Sequence, residues 1–278
     1  MVLSPDPASA RQWLDDLASH LRPAGLDVLG VADPAAYDAE VAPSRRAATV
    51  APGTRAIVVV GNGGRALWDA LLADLARAPN HLTDEPHPLE AFVKRTISDA
   101  DSRLGDAPRR WIYAASHELV HLDFRVLGLL AGLGTDGRLR LLMHREHGPW
   151  MALRAACFVS FDLPLHVHRP GPSVCDGCPA PCITACPGNA LSRGTWDVDR
   201  CSAFHAESNR CSTRCDARLA CPKGAGSRYP LEMLTYHSNN FIGREWIRAH
   251  LGIARDLDRH PGMPPLWETW RERIDVKG

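Results

Sequence analysis

Apolar positions follow helical and strand rhythms through residue 160, vanish into a cysteine-rich window, and return to helical spacing after Cys221. Residues 8–22 carry the spacing of an amphipathic helix. Residues 26–31 and 56–60 read as strands, the second a compact buried one. Residues 65–77 and 89–103 read as helices, the latter following Pro86 and Pro88. A short strand over 111–115 precedes an apolar helix over 124–133 that closes on Gly134. Residues 138–144 and 150–160 read as two strands around the turn Arg145-Glu146-His147-Gly148-Pro149, which predicts a hairpin.

This alternation implies one mixed domain of about 165 residues, of α/β or, as the pattern is taken here, α+β class. Pro164, Pro170, Gly171 and Pro172 then mark a linker. After the cysteine window, helical spacing over 231–239, 243–251 and 266–274 predicts a tail. Its Trp246, Trp267 and Trp270 are expected to pack on the body. The expected organisation is therefore a body over 1–168, a cysteine module over 169–229 and a helical tail over 230–278.

Composition narrows the function. The 278 residues include 32 basic and 32 acidic side chains, so no global charge pulls the chain toward nucleic acid or an anionic membrane. No signal peptide is visible in the first residues, and the longest apolar run is too short to span a bilayer. A cytoplasmic protein is expected. Eight of the nine cysteines lie between Cys175 and Cys221. In a reducing compartment, thiols so gathered point to metal rather than disulfides.

The first group reads Cys175-x2-Cys178-x3-Cys182-x3-Cys186-Pro187, and the second Cys201, Cys211, Cys215, Cys221-Pro222. In the bacterial ferredoxin run, three cysteines hold one [4Fe–4S] cluster and the last, followed by proline, crosses to the other. Both groups here end in Cys-Pro. The crossing rule assigns Cys175, Cys178, Cys182 and Cys221 to cluster one. It assigns Cys186, Cys201, Cys211 and Cys215 to cluster two. Two all-thiolate zinc sites are the competing reading, but zinc ribbons pair two C-x2-C knuckles and only one is present. Cys157 stands alone in an apolar strand and is read as a core thiol.

Two further motifs are weaker. Gly61-Asn62-Gly63-Gly64 resembles a phosphate-binding turn but lacks the dinucleotide spacing, so a tight strand-to-helix turn is the better reading. His117-Glu118-x2-His121 matches the zinc-peptidase signature. It follows the end of a strand, and no third ligand of that type is apparent.

A family resemblance extends these readings. Arg22-Pro-Ala-Gly-Leu-Asp-Val28, Ala66-Leu-Trp-Asp-Ala-Leu71, His81-Leu-Thr-Asp84 and especially His144-Arg-Glu-His-Gly-Pro-Trp-Met-Ala-Leu-Arg154 resemble cobalamin-processing chaperones of the methylmalonic aciduria type C group. Ala131-Gly-Leu-Gly134, Gly137 and the turn beyond are similar to the corrinoid domain of epoxyqueuosine reductases and reductive dehalogenases. Those reductases carry a two-cluster module in the same order along the chain. The resemblance implies a nitroreductase-like corrinoid-binding domain, followed by a ferredoxin-like double [4Fe–4S] module and the helical tail. It places cobalamin near Leu133, Gly134, His144, Gly148 and Trp150. It puts Glu118 near an acidic proton donor, although the reductases have aspartate there and a proline where His121 stands. The helical-repeat extension of epoxyqueuosine reductases finds no room after Cys221, and transfer RNA is not expected as substrate.

The expectation is an iron–sulfur, cobalamin-binding oxidoreductase that takes electrons from a reduced ferredoxin or flavodoxin-type donor. Its clusters would pass them to a corrinoid cobalt, for cobalamin reduction or processing. Two alternatives stand beside it: an epoxyqueuosine-reductase-like, cobalamin-dependent reductase of a small substrate, and a ferredoxin-like carrier without corrinoid.

Overall fold

The structure, a computed structural model, describes residues 7–115, 121–167, 171–192 and 195–253. In chain order its helices and strands begin with α1 (Pro7–Leu21), β1 (Val28–Ala32), α2 (Pro34–Glu40), α3 (Ala47–Val50) and β2 (Ala56–Gly63). Next come α4 (Ala66–Arg77), α5 (Asn80–Thr83), α6 (Pro88–Ser102), β3 (Arg109–Tyr113), α7 (Phe124–Leu130), β4 (Thr135–Asp136), β5 (Leu142–Met143) and β6 (Met151–Val159). The module holds α8 (Pro181–Ala185), α9 (Val198–Glu207) and α10 (Asp216–Leu219), and the chain returns through α11 (Leu231–Ser238) and α12 (Asn240–Leu251).

Four strands form one antiparallel sheet in the order β1-β2-β6-β3. Both faces of its centre are covered, which is why β2 reads as an unbroken apolar run rather than an alternation. The period of two persists underneath. Val58 and Val60 face a core built with α1, α4, α6, α11 and α12, whereas Ile57 and Val59 face one built with α2, α3 and α7. Helix α1 shows the matching helical period, with Ala10, Trp13, Leu17 and Leu21 buried along one stripe.

Helix α2 begins where Asp33 accepts the Ala35 N–H at 2.9 Å, followed by Pro34 in the first turn. Helix α12 begins in the same way on Asn239, whose side chain accepts the Ile242 N–H.

The tail joins the body's core. Trp68 of α4, fully buried, packs between Tyr236 and Trp246, with ring centroids at 5.4 and 6.2 Å. The Tyr236 hydroxyl accepts the Leu89 N–H, and Arg244 donates to the carbonyls of Leu82, Glu85 and Pro86. Trp267, Trp270 and the predicted helix over 266–274 lie outside the described residues, as does Pro170 of the linker.

Two sequence expectations change. The predicted hairpin between 138–144 and 150–160 does not form. Both edges of β6 are already taken by β2 and β3, so Leu142–Met143 pairs instead with Thr135–Asp136. The apolar helix expected to reach residue 133 stops at Leu130, because Gly132 adopts φ 72° and turns the chain.

Candidate functional site

The cysteine module has a small core of its own. Cys182 and Cys221 are buried with Ala180, Ala217, Leu139 and Met143, so the module packs on the β4–β5 turn. Polar bonds fasten it there. Arg138 Nη1 donates to Cys178 O at 2.6 Å, Ser173 Oγ to Asp136 O at 3.0 Å, and Arg218 Nη2 to Pro149 O at 2.6 Å.

The strongest electrostatic neighbours of Cys182 among the thiols are Cys221 and Cys175, and those of Cys221 are Cys175 and Cys178. Cys211 interacts with Cys215, Cys186 and Cys201, and Cys215 with Cys186. Burial is the largest effect on each of these four, and with the neighbouring sulfurs it pushes the Cys211 thiol up to about 11. Bare thiolates so placed repel one another, and a metal cation reverses that sign by binding the deprotonated form. Eight free thiols in two such sets suit a pair of cubane clusters by donor chemistry. No three His, Cys, Asp or Glu side chains among the described residues converge as ligands of one ion do. Cys157 lies apart in β6, fully buried, with its pKa raised by that burial.

Of the residues expected to meet a corrin, several cluster beside this module. Leu133 is buried, and Gly134 lies against the Met143 backbone, next to His144. His144 Nδ1 accepts the N–H groups of Glu146 and His147, and its ring stacks on His147 at 4.6 Å. Partial burial, then the neighbouring His147, lowers the pKa of His144. Gly148, at φ 56°, allows no side chain: a Cβ there would stand 2.5 Å from Lys223 O, just past Cys221-Pro222. Trp150 is different. It is fully buried in the core against Tyr229, at 5.6 Å between ring centroids.

Sequence reasoning missed a polar constellation behind these residues. Asn62 is fully buried, and its Oδ1 accepts from Arg154 Nε at 2.8 Å. Arg154 also stands 3.7 Å from Glu90, and its Nη2 is shut off from solvent without a partner. Glu90, Lys94, Tyr113, Ala115, Leu153 and Arg154 line a cavity at the end of β3. His237 keeps accessible surface although protein surrounds it; that enclosure, with the charges of Arg154 and Arg218, pushes its imidazole pKa down. The one signal available in the sequence was the i,i+4 spacing of Glu90 and Lys94, which many solvated helices share.

The two weaker motifs resolve unequally. In the Gly61–Gly64 turn, a Cβ on Gly63 would fall 2.2 Å from the His147 ring, so that glycine serves close packing. His117 and Glu118 lie outside the described residues, and His121 is exposed.

A helix-covered antiparallel sheet, with an eight-thiol module folded against one end, defines a mixed helix-and-sheet class rather than a dinucleotide-binding fold. Within that class the likenesses are particular. An epoxyqueuosine reductase of Vibrio cholerae is 34% identical over 113 residues, covering 35% of this chain and 30% of that enzyme. The match therefore spans less than a third of that curated relative. The B12-trafficking protein CblC of C. elegans shares the fold at a TM-score of 0.60 and 12% identity, over 88% of this chain and 97% of that one. An epoxyqueuosine reductase solved with an epoxyqueuosine-modified tRNA stem loop superposes at a TM-score of 0.50 and 17% identity, over 81% of this chain and 69% of that one. No protein-family profile matches the chain. Among the described residues no helix is long and apolar enough to cross a membrane.

Proposed function

We propose that the chain is a cobalamin-dependent iron–sulfur reductase of a small substrate, the first alternative raised by the sequence. The observation that carries this reading is the partition of eight thiols into two groups beside the residues expected to meet a corrin. The sequence likeness is to epoxyqueuosine reductases, whereas the likeness to the B12-trafficking protein is one of fold alone. That balance favours a reductase over the cobalamin-processing role expected above.

Cys175, Cys178, Cys182 and Cys221 would hold one [4Fe–4S] cluster, and Cys186, Cys201, Cys211 and Cys215 the other. Cys182 and Cys221 of the first set are buried with Leu139 and Met143, with Cys186 of the second set packed against the same core; the first set is taken as the inner cluster, and the exposed Cys215 as part of the outer one. Electrons from a reduced ferredoxin or flavodoxin-type donor enter at the outer set. Cobalamin, when bound, supplies a low-valent cobalt able to reduce a substrate. Leu133, Gly134, His144 and Gly148 shape the wall expected to face it, and Trp150 supports that wall from the core.

The cavity at the end of β3 offers a place for substrate. Its Lys94 ammonium lies 5.4 Å from the Tyr113 ring centroid, and Glu90 and Arg154 supply opposite charges at its rim. Glu118, three positions after Ala115 in the sequence, is the candidate proton donor. Neutral composition gives no reason to expect a nucleic-acid partner, so a small molecule is the favoured substrate class.

Anaerobic reconstitution followed by cobalamin titration tests this reading. The expected result is a saturable change in the cobalt spectrum and reduction of an epoxide-bearing nucleoside over many turnovers per corrinoid. Conversion of one corrinoid per chain and no more would return the reading to cobalamin processing. Absence of any cobalt response would leave an electron carrier.

A further inference from the structure

Residues 144–148 form a closed turn built around the His144 imidazole. The His144 N–H donates to Gly148 O and the Gly148 N–H to His144 O, both at 2.9 Å. Within that loop the His144 Nδ1 accepts two further main-chain donors, the Glu146 N–H at 3.1 Å and the His147 N–H at 3.2 Å. The surroundings fix the turn. Gly148, at φ 56°, lies against Lys223 O, and a Cβ on Gly224 would fall 2.1 Å from His147 O. The His147 ring stacks on His144, pairs with Ser227 Oγ through Nδ1 at 2.8 Å, and leaves no room for a side chain at Gly63. His144 is thus held on one face and along one edge before any ligand arrives.

These bonds decide the tautomer. Main-chain N–H groups only donate, so Nδ1 offers its lone pair and carries no hydrogen. A neutral imidazole has one ring proton, which then sits on Nε2. A proton on Nδ1 would face the two N–H groups that already point there, so the turn selects the neutral ring. Nε2 is therefore an N–H donor with no lone pair, and among the described residues nothing accepts from it. The ring is only half-buried.

We propose that His144 is a positioning donor whose Nε2–H holds an amide carbonyl on the rim of the corrin ring, and that it is not a ligand to cobalt. The inference rests on the cobalamin reading above, in which His144 stands on the wall that meets the ring. A corrin carries acetamide and propionamide side chains around its edge, and their carbonyl oxygens are acceptors suited to a neutral N–H. A histidine that ligates a metal through Nε2 needs the lone pair there and donates from Nδ1 to a carbonyl or carboxylate. The turn at 144–148 provides the reverse.

Two measurements on the full chain test this. Nitrogen-15 resonance of the histidine-labelled chain without corrinoid, assigned by the signals lost in His144→Asn, is expected to show a protonated Nε2 and a bare Nδ1 at neutral pH. The opposite tautomer would overturn the proposal. Titration with cobalamin and with cobinamide, which lacks the nucleotide tail, then reads the contact through the cobalt spectrum. His144→Asn keeps an oxygen where Nδ1 accepts its two N–H groups but ends short of Nε2, and it should weaken both corrinoids about fivefold. His144→Gln reaches the Nε2 position with an amide N–H and should bind both more tightly than His144→Asn does. Equal affinity of the parent and His144→Asn, the reverse order of the two variants, or a loss confined to cobalamin would each overturn the proposal. So would nitrogen splitting from His144 in the cobalt(II) paramagnetic resonance spectrum. If His144→Asn does not fold, His144→Gln assigns the signals, and the parent's Nε2 resonance must shift on adding cobinamide for the proposal to stand. A parent that shows the expected tautomer yet binds neither corrinoid would instead refute the cobalamin reading.

Discussion

The body and the cysteine module sit side by side but are held together by different means. In the body, β2 is buried along its whole length, and helices on both sides fill two extensive apolar cores. In the module, α8 and α10 are single turns, α9 buries no residue, and the small core counts Cys182 and Cys221 among its members. A short segment with so little apolar burial cannot offset its ordering entropy by packing alone. The body's stability is therefore written in its apolar pattern, and the module's in its thiols and whatever they bind. A single side chain can damage one region and spare the other.

The largest separation is expected from Cys186→Ser. On the proposed two-cluster reading it removes one ligand of the outer set, and it should cost about half the iron per chain while the body's far-ultraviolet circular dichroism stays unchanged. Loss of both clusters in equal measure, with the body intact, would break the crossing assignment of the eight cysteines. The converse variant is Trp68→Ala. Trp68 is fully buried between Tyr236 and Trp246, and its truncation should destabilise the body by about 3–5 kcal/mol. Urea denaturation checks this, and the cluster absorbance should be lost together with the body because α11 and α12 tie the module's exit to that core.

The smallest effect concerns the seam between the two regions. His144 has its pKa lowered in the fold by burial and by His147, and its Nδ1 acts as an acceptor for two N–H groups. The unfolded chain takes up a proton there before the folded chain does. Stability is thus full above the unfolded value of about 6.5 and declines as pH falls through and below it. Because the ring is only partly buried, the loss should stay below about 1 kcal/mol. Comparing urea midpoints at pH 7.5 and 5.5 for the parent and His144→Gln reads this out. An equal acid response in both would remove His144 from the account.

The helices and strands of the body were legible because their apolar periods are long and agree with their turns and caps. The predicted ranges for α1, β2, α4, α6 and α12 lie within a few residues of the observed ones. The hairpin around 145–149 was misread for a physical reason. A turn signal states that two segments meet at a bend, not that an edge of β6 is vacant to receive its neighbour. The two runs of cysteines were also visible, since spacing along the chain is a local property.

The polar constellation was not legible. Asn62, Glu90, Arg154, Arg218 and His237 come from five separate stretches and carry no common spacing. Arg218 in particular looks like one more charge in a polar loop until Trp150 and Tyr229 are seen to lie against its guanidinium.

The sequence by itself determined the two rhythms of the body, the cysteine count, and the division between an apolar fold and a thiol-held one. All of these depend on residue type and local spacing. The tertiary structure decided which strand edges were free, that the tail completes the body's core, and that the half-buried Arg218 cation lies against Trp150 and Tyr229. Those outcomes depend on which surfaces remain once every other element has packed, and no stretch of chain carries that information alone.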